Sequence, residues 1–425
     1  MAKCGGEWNF SGSEAAREAA ARSLSKVVSN IKANTDPNSG KIVLPPSENI
    51  RTWPGAEKAV ADVVGSGKGN DYAPSIGTPE AKQAISDYLN GDLQGQEFKL
   101  KPDDVFMAAG CKQSIEIIVE VLAKPNANIL LPQPGFPRYD VRAIYNQVEV
   151  RKYDVLPHQN YEIDLDHVEK LADKNTFAIG IINPHNPCGN VYSEDHLKKL
   201  AELARKLGMM VITDEVYRWT VFGERPFVPM GKFASIAPVV TLGSLSKGWG
   251  VPGWRMGWVA LNDPEGALKS TKVLQAIKDN LEINSKPATI FQAALRDILE
   301  KTPNEFFANK NAYLKRNVEY GFDQLQYIPC LYCPMKPEAC TFLWTKLDLS
   351  QLEGINDDHE FCSKLAAEEN LVLVPGTAMG LENWLRISVE YSDFSLVEQT
   401  FDRLKGFFQR HVKKPKASLE DLKLN

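Results

Sequence analysis

The sequence lacks any apolar run long enough to cross a membrane. Its opening residues, MAKCGG, contain no hydrophobic signal-peptide segment, and the final tripeptide, KLN, is not a peroxisomal signal. We therefore expect a cytoplasmic protein that does not associate with a membrane.

Basic residues and cysteines are also few. Lys and Arg total 49 against 54 Asp and Glu, which gives a net charge of −5. This acidic balance, with one short basic run at 413–416, argues against nucleic-acid binding. The 7 cysteines include Cys330 and Cys333, but no second pair at zinc-site spacing and no nearby histidine accompany them. We expect free thiols and no metal site.

The chain does contain regular alternation of strands and helices. Between Val105 and Leu261, short apolar runs alternate with amphipathic helical segments, which predicts a mostly parallel sheet covered by helices on both faces. A long helix over 305–325 and an α+β segment follow it. Before it, we expect one continuous helix from Glu14 to Ile31 and a strand over 41–44. Functional loops should lie at the carboxyl ends of the parallel strands.

One lysine lies at such a strand end, within the run VTLGSLSKGWGVPGWRMGW (240–258). The β-branched residues before Gly243 predict a strand that ends in Gly-Ser-Leu-Ser-Lys. The glycines and the proline that follow Lys247 exclude a regular helix there. A second predicted strand, 254–261, carries Arg255. The sequence therefore places a lysine, two hydroxyls and an arginine around one loop.

This combination has a specific chemical meaning. A lysine among apolar neighbours and near a second cation loses affinity for its proton, and its free amine can form a Schiff base with an aldehyde. Ser244 and Arg255 can hold a phosphate, the arginine as a bidentate donor. Pyridoxal 5'-phosphate (PLP) combines an aldehyde with a phosphate. The alternative is a surface Lys247 with Arg255 in a structural ion pair.

A carboxylate for the cofactor lies upstream. In MVITDEVY (210–217), Asp214 comes at the end of an apolar strand, 33 residues before Lys247. A carboxylate against the pyridine nitrogen keeps the ring protonated, so that it accepts electrons from the substrate Cα. Helix capping by Asp214 and simple packing of Tyr217 are the alternatives.

The pattern S-x-S-K-x7-R resembles the lysine motif of fold-type I aminotransferases, in particular the plant tyrosine aminotransferase family, and the resemblance runs from about Lys41 to His411. It implies an α/β, aspartate aminotransferase-like fold, with a three-layer large domain and a smaller α+β domain. We place the N-terminal arm and part of the small domain at 1–65, the large PLP-binding domain at 66–315 and the small C-terminal domain at 316–425.

The resemblance also assigns roles at further positions. It implies that Gly110, Cys111 and Lys112 hold the phosphate at a helix N-terminus, that Phe136 stacks on the ring, and that Tyr217 and Asn186 bind the phenolic oxygen. Arg386, inside the apolar strand WLRIS, matches the clamp of the substrate α-carboxylate, assisted by Asn186; a structural ion pair is the alternative. Tyr72 matches a tyrosine that reaches the phosphate of the other subunit, which implies a homodimer.

The resemblance breaks at Leu44 to Pro54, where the family carries a longer glycine-rich segment that lines the substrate pocket. Three functions therefore stay open. The first is transfer of the amino group of an aromatic L-amino acid to a 2-oxo acid, favoured because no motif places a second arginine for a side-chain carboxylate. The second is a cysteine-conjugate C–S β-lyase. The third is a non-catalytic PLP-fold protein.

Overall fold

The computed structural model describes residues 11–45 and 52–413. The helices are α1 (Glu14–Ala21), α2 (Leu24–Lys32), α3 (Pro54–Ser66), α4 (Pro79–Gly91), α5 (Cys111–Leu122), α6 (Arg138–Tyr145), α7 (Leu165–Leu171), α8 (Glu194–Leu207), α9 (Leu245–Gly248), α10 (Ala267–Ser270), α11 (Val273–Ile283), α12 (Thr289–Lys301), α13 (Asn304–Gln324), α14 (Asp358–Glu369) and α15 (Phe394–His411). Among these helices of the described ranges, none has the length and hydropathy that a membrane span needs.

The strands are β1 (Val105–Ala108), β2 (Asn128–Gln133), β3 (Glu149–Leu156), β4 (Glu162–Ile163), β5 (Thr176–Ile182), β6 (Met210–Asp214), β7 (Val239–Ser244), β8 (Gly257–Asn262), β9 (Leu331–Tyr332), β10 (Phe342–Leu347), β11 (Val374–Pro375) and β12 (Trp384–Ser388). The first eight form one sheet in the order β1-β8-β7-β6-β5-β2-β3-β4. The strands from β7 through β6, β5 and β2 to β3 are parallel, whereas β8 is antiparallel to β1 and β7. The predicted, mainly parallel sheet is confirmed.

Helices cover both faces of this sheet. On β6, Val211 packs into a core with residues of α7 and α8, whereas the next residue, Ile212, packs into a core with residues of α5 and α11. Neighbouring residues of a strand point to opposite faces, so an entirely apolar strand is buried between two helical layers. The predicted three-layer arrangement is confirmed.

The second sheet is smaller and antiparallel, in the order β11-β12-β10-β9. Its core includes residues of α13, α14 and α15 and also Leu44, which bridges to Leu371 from the N-terminal part of the chain. This is the expected smaller α+β unit. The domain boundaries at 65/66 and 315/316 stay a prediction, and α13 crosses the second of them.

The structure corrects three local expectations. The helix predicted over 14–31 is divided into α1 and α2, because Ser23 caps the second helix by accepting a hydrogen bond from Lys26 N at 3.2 Å. The strand predicted over 41–44 is only the single bridge at Leu44. Lys247 lies in the one-turn helix α9 rather than in a loop, and the glycines end that helix after one turn.

Candidate active site

A cavity of about 540 Å³ lies at the carboxyl ends of β5, β6 and β7, beside β12. Ten of the residues singled out in the sequence line it, namely Cys111, Lys112, Phe136, Asn186, Asp214, Tyr217, Ser244, Lys247, Arg255 and Arg386. The strand ends meet there because parallel strands present their carboxyl ends at one edge of a sheet. We call this cavity the cleft.

Lys247 enters the cleft from α9, directly after β7. Its Nζ lies 3.6 Å from Oε2 of Glu390 and 5.7 Å from the centre of the Tyr217 ring. The preceding Ser244 Oγ accepts a hydrogen bond from Ser246 N at 3.3 Å, which holds the start of the helix. The amine is therefore fixed between an aromatic ring and a buried carboxylate.

Asp214 is the last residue of β6 and is buried. Its carboxylate accepts hydrogen bonds from Val216 N at 3.3 Å and from the thiol of Cys111. Burial raises the pKa of Asp214 to about 6, and these two hydrogen bonds only partly oppose that effect. Within residues 11–45 and 52–413 no cation forms a salt bridge with it. A protonated ring nitrogen is the kind of partner that such a carboxylate requires.

An anion site forms where α5 meets Arg255. The guanidinium donates to Ala109 O at 2.8 Å and to Pro252 O at 2.7 Å, which fixes it beside the first turn of α5. A Cβ on Gly110 would lie 2.4 Å from Arg255 Nη2, so glycine is required for this approach. The first turn of a helix and its dipole favour a phosphate at this point, although Gly110 N itself donates to Ala108 O at 2.8 Å. Arg255 itself has a φ of 52° and precedes β8, whereas the sequence suggested that it lies within the strand.

Two further predicted residues lie on the cleft wall and one does not. Phe136 and Lys112 line the cleft, and burial, together with the charges of Arg138 and Arg255, lowers the pKa of Lys112. Tyr72 is fully exposed and does not line the cleft of its own chain. Its predicted role requires a second subunit.

Arg386 reaches the cleft from the smaller sheet. It lies in the middle of β12, between Trp344 of β10 and Val374 of β11, and is buried. Its Nη1 donates to Asn186 Oδ1 at 3.0 Å, and its guanidinium carbon lies 4.2 Å from the centre of the Phe342 ring. Its Nε has no hydrogen-bond partner in the described part of the chain. A buried guanidinium with one neutral acceptor is suited to an anionic ligand.

The sequence reasoning missed two charged residues beside Lys247. Glu390 is buried two residues beyond β12, and Lys310 is buried on α13. A signal for Glu390 existed, since it is a charged residue between apolar neighbours and lies four residues after Arg386. Lys310 lies in a helical segment with several other charged residues, so no local pattern distinguished it.

Comparison with known proteins identifies the family. The model for aminotransferase class I and II matches residues 44–398. Cystine lyase CORI3 of Arabidopsis thaliana is 58% identical over 417 residues, which cover 98% of this chain and 97% of that protein. Probable aminotransferase TAT4 of the same plant is 57% identical over 418 residues, which cover 98% of this chain and 97% of that protein. The solved tyrosine aminotransferase from Leishmania infantum matches with a TM-score of 0.87 at 28% identity and covers 96% of this chain and 100% of its own.

The chain belongs to the aminotransferase class I and II family. The expected plant tyrosine aminotransferase-like membership and the fold-type I architecture are confirmed. This aminotransferase-family enzyme depends on PLP, and its residues fit that cofactor. The amine of Lys247 suits the aldehyde, the uncompensated carboxylate of Asp214 suits the ring nitrogen, and Arg255 at the start of α5 suits the phosphate.

Proposed function

We propose that this enzyme transfers the amino group of an aromatic, tyrosine-like L-amino acid to a 2-oxo acid, with Lys247 as the residue that binds the cofactor aldehyde and moves the substrate proton. The observation that carries the proposal is the meeting of Lys247, Asp214 and Arg386 in one cleft. The similarity to a solved tyrosine aminotransferase supports the aromatic donor.

Each part of the cofactor has a suitable group in the cleft. When bound, PLP supplies an electron sink for negative charge at the substrate Cα. Asp214 keeps a proton on the ring nitrogen, so that the ring retains its capacity to accept electrons. The remaining residues would contact the ring and the phosphate: Tyr217 and Asn186 the phenolic oxygen, Phe136 the ring face, and Ser244, Arg255 and the backbone of Gly110, Cys111 and Lys112 the phosphate. Of these backbone groups, Gly110 N already donates to Ala108 O at 2.8 Å, so its amide is not available to the phosphate in this structure.

Arg386 and Lys247 act on the substrate. Arg386 binds the α-carboxylate with two hydrogen bonds, and its contact with Asn186 fixes the plane of the guanidinium. Binding in this plane directs the Cα–H bond toward Lys247. With the cofactor bound, Lys247 would take the Cα proton as a general base and return it as a general acid.

The cleft wall supports an apolar donor side chain. Ile115, Phe136 and Phe342 line it. Arg138 also lines it, but its guanidinium already pairs with Glu116. The sequence segment that differs from the family, Leu44 to Pro54, has residues 46–51 outside the described ranges.

A C–S β-lyase is the second candidate, and two observations favour it. The relative that is 58% identical is named a cystine lyase. Lys112 places an amine on the cleft wall, where a second carboxylate, such as that of cystine, has a partner. The non-catalytic alternative is set aside, because the family and the named relatives are enzymes.

Product analysis separates the two functions. The enzyme is supplied with tyrosine, phenylalanine, cystine or a cysteine conjugate, each with and without a 2-oxo acid. We expect tyrosine to give its 2-oxo acid only when an acceptor is present, with equal amounts of the new amino acid. Pyruvate and ammonia without acceptor, together with a persulfide (thiocysteine) from cystine or a thiol from the cysteine conjugate, and no product from tyrosine, would contradict the proposal and establish the lyase. The Lys247→Ala variant is the control for product formed without the proposed base.

A further inference from the structure

Glu390 is a buried carboxylate beside Lys247 that the proposed mechanism does not use. We propose that Glu390 is a positioning residue that serves as the counter-ion of the Lys247 nitrogen and stabilises the proton which that nitrogen carries. This inference rests on the proposed role of Lys247 and adds a residue that sets when Lys247 is charged.

The geometry of Glu390 is that of a counter-ion rather than of a structural hydrogen-bond acceptor. The residue is only 3% exposed, and its Oε2 lies 3.6 Å from Lys247 Nζ. That oxygen accepts no hydrogen bond from any described group. An opposite charge within about 4–6 Å favours the charged form of an amine, and the effect is stronger where water is excluded.

The position of Glu390 in the chain supports the same role. Val389 N donates to Thr341 O at 2.9 Å, which extends the pairing of β12 with the β10 side of the sheet as far as Val389. Glu390 follows at once, at the centre of a tight turn that Tyr391 N closes by donating to Val389 O at 2.9 Å. One strand end therefore presents a cation for the substrate carboxylate and an anion for Lys247.

Lys310, on α13, is a second buried lysine that interacts electrostatically with Glu390. Its Nζ donates to Lys247 O at 3.1 Å and to Gly248 O at 2.7 Å, so it also holds α9 in place. Burial and the charge of Lys247 lower the pKa of Lys310 to about 7, and the Glu390 carboxylate opposes that decrease. Near neutral pH, Lys310 is thus only partly charged, and among the described residues Lys247 is the lysine within salt-bridge distance of Glu390.

The other titratable groups near Glu390 do not act as the counter-ion of Lys247. Burial raises the pKa values of Tyr217 and Cys340 well above their ordinary range, so both are neutral at physiological pH. Two further charged groups lie near Tyr217. They are Arg386, which is a cation, and Asp214. In residues 11–45 and 52–413, Glu390 is the carboxylate within salt-bridge distance of Lys247.

The test is a pH titration of the bound cofactor's absorbance in the holoenzyme without substrate. The absorbance reports the proton on the nitrogen that links Lys247 to the cofactor. In Glu390→Gln, whose side chain has the same size and no charge, we expect the midpoint to fall by about 1–3 pH units. Glu390→Asp keeps the charge at a greater distance and should show a smaller fall. An unchanged midpoint in a folded Glu390→Gln holoenzyme overturns the inference.

Two controls make the result specific. Asp358→Asn removes another buried carboxylate, which does not line the cleft and accepts a hydrogen bond from Thr377 N at 2.8 Å. The titration midpoint of the Asp358→Asn holoenzyme should equal that of the unaltered enzyme. Thermal denaturation confirms that each variant is folded. If Glu390→Gln does not fold, the Glu390→Asp holoenzyme decides, and an unchanged midpoint there overturns the inference.

Borohydride reduction of the unaltered holoenzyme separates this inference from the proposed function. If the reduced cofactor is not on Lys247, the proposed role of Lys247 fails, and the Glu390 inference fails with it. If it is on Lys247 and the Glu390→Gln midpoint is unchanged, only the role of Glu390 is wrong.

Discussion

Burial of the Asp214 carboxylate suits it to hold a protonated ring nitrogen, but it also lowers the stability of the protein without the cofactor. The pKa of this carboxylate is 3.8 in an unfolded chain and about 6 in the folded protein. The folded state therefore binds the proton more tightly, so this residue lowers stability as the pH rises through that interval, by up to about 3 kcal/mol. A cofactor whose ring nitrogen carries a proton removes this cost.

Asp214→Asn should remove the contribution of this residue to the pH dependence of stability in protein from which the cofactor has been removed. Between about pH 4 and about pH 7, the unaltered protein should lose more stability than the variant, because only the unaltered protein must bury the charge of Asp214. Denaturant unfolding at several pH values measures the difference. Equal pH dependence in both proteins would show that Asp214 does not carry an uncompensated charge. With the cofactor bound, the variant should be the less stable protein.

Arg386 is the other residue whose burial predicts a measurable effect. Arg386→Ala should raise KM for α-amino acids and lower kcat/KM by an amount equivalent to about 2–5 kcal/mol, because the substrate carboxylate loses its charged partner. Arg386→Lys keeps the charge but cannot form the two parallel hydrogen bonds of a guanidinium. Its kcat/KM should therefore lie between those of Arg386→Ala and the unaltered enzyme. Steady-state kinetics provide the measurement. If neither variant changed KM or kcat/KM, Arg386 would not be the residue that binds the substrate carboxylate.

At the scale of secondary-structure elements, close strand packing positions the anion site. Gly257 of β8 approaches the backbone on both sides, at the start of α5 and in β7: an added Cβ would lie 2.8 Å from Gly110 Cα and 2.8 Å from Gly243 O. These are backbone atoms, which cannot rotate away as a side chain can. The start of α5 and the end of β7 therefore depend on a residue that has no side chain.

Gly257→Ala should push these elements apart and weaken cofactor binding. Overpacking of this kind costs about 1–3 kcal/mol, and the cofactor dissociation constant should rise because the phosphate site is displaced. The matched control is Gly253→Ala, whose Cβ would meet no atom within 4 Å. Melting temperature and cofactor titration provide the measurements. If Gly257→Ala and Gly253→Ala had similar melting temperatures and similar cofactor dissociation constants, cofactor binding would not depend on the strand spacing at Gly257.

At the scale of the whole molecule, the resemblance of Tyr72 to a family tyrosine that reaches the other subunit's cofactor predicts a homodimer with shared sites, and Tyr72 is fully exposed in the single chain. Subunits carrying Lys247→Ala and subunits carrying Tyr72→Ala, unfolded and refolded together, should form heterodimers in which one site is intact. Their activity should exceed the mean of the two homodimers and approach about a quarter of the unaltered enzyme for random mixing. Activity equal to that mean would place Tyr72 outside the partner's site.

The sequence predicts the parts of this molecule that depend on local patterns. The mainly parallel sheet follows from apolar runs, and Asp214 and Lys247 follow from their positions at strand ends. The pairing of Glu390 with Lys247 joins positions 143 residues apart, and no local pattern contains it. Likewise, the single turn α9 is too short to show helical periodicity, and the left-handed conformation of Arg255 depends on its contacts with Ala109 and Pro252.

The most direct test of the account is the identity of the lysine that carries the cofactor. The holoenzyme is reduced with borohydride and digested, and the modified peptide is identified by mass spectrometry. We expect the reduced cofactor on Lys247 and none on Lys112, the other lysine that lines the cleft. A cofactor fixed on Lys112, or on any lysine outside the cleft, would contradict it.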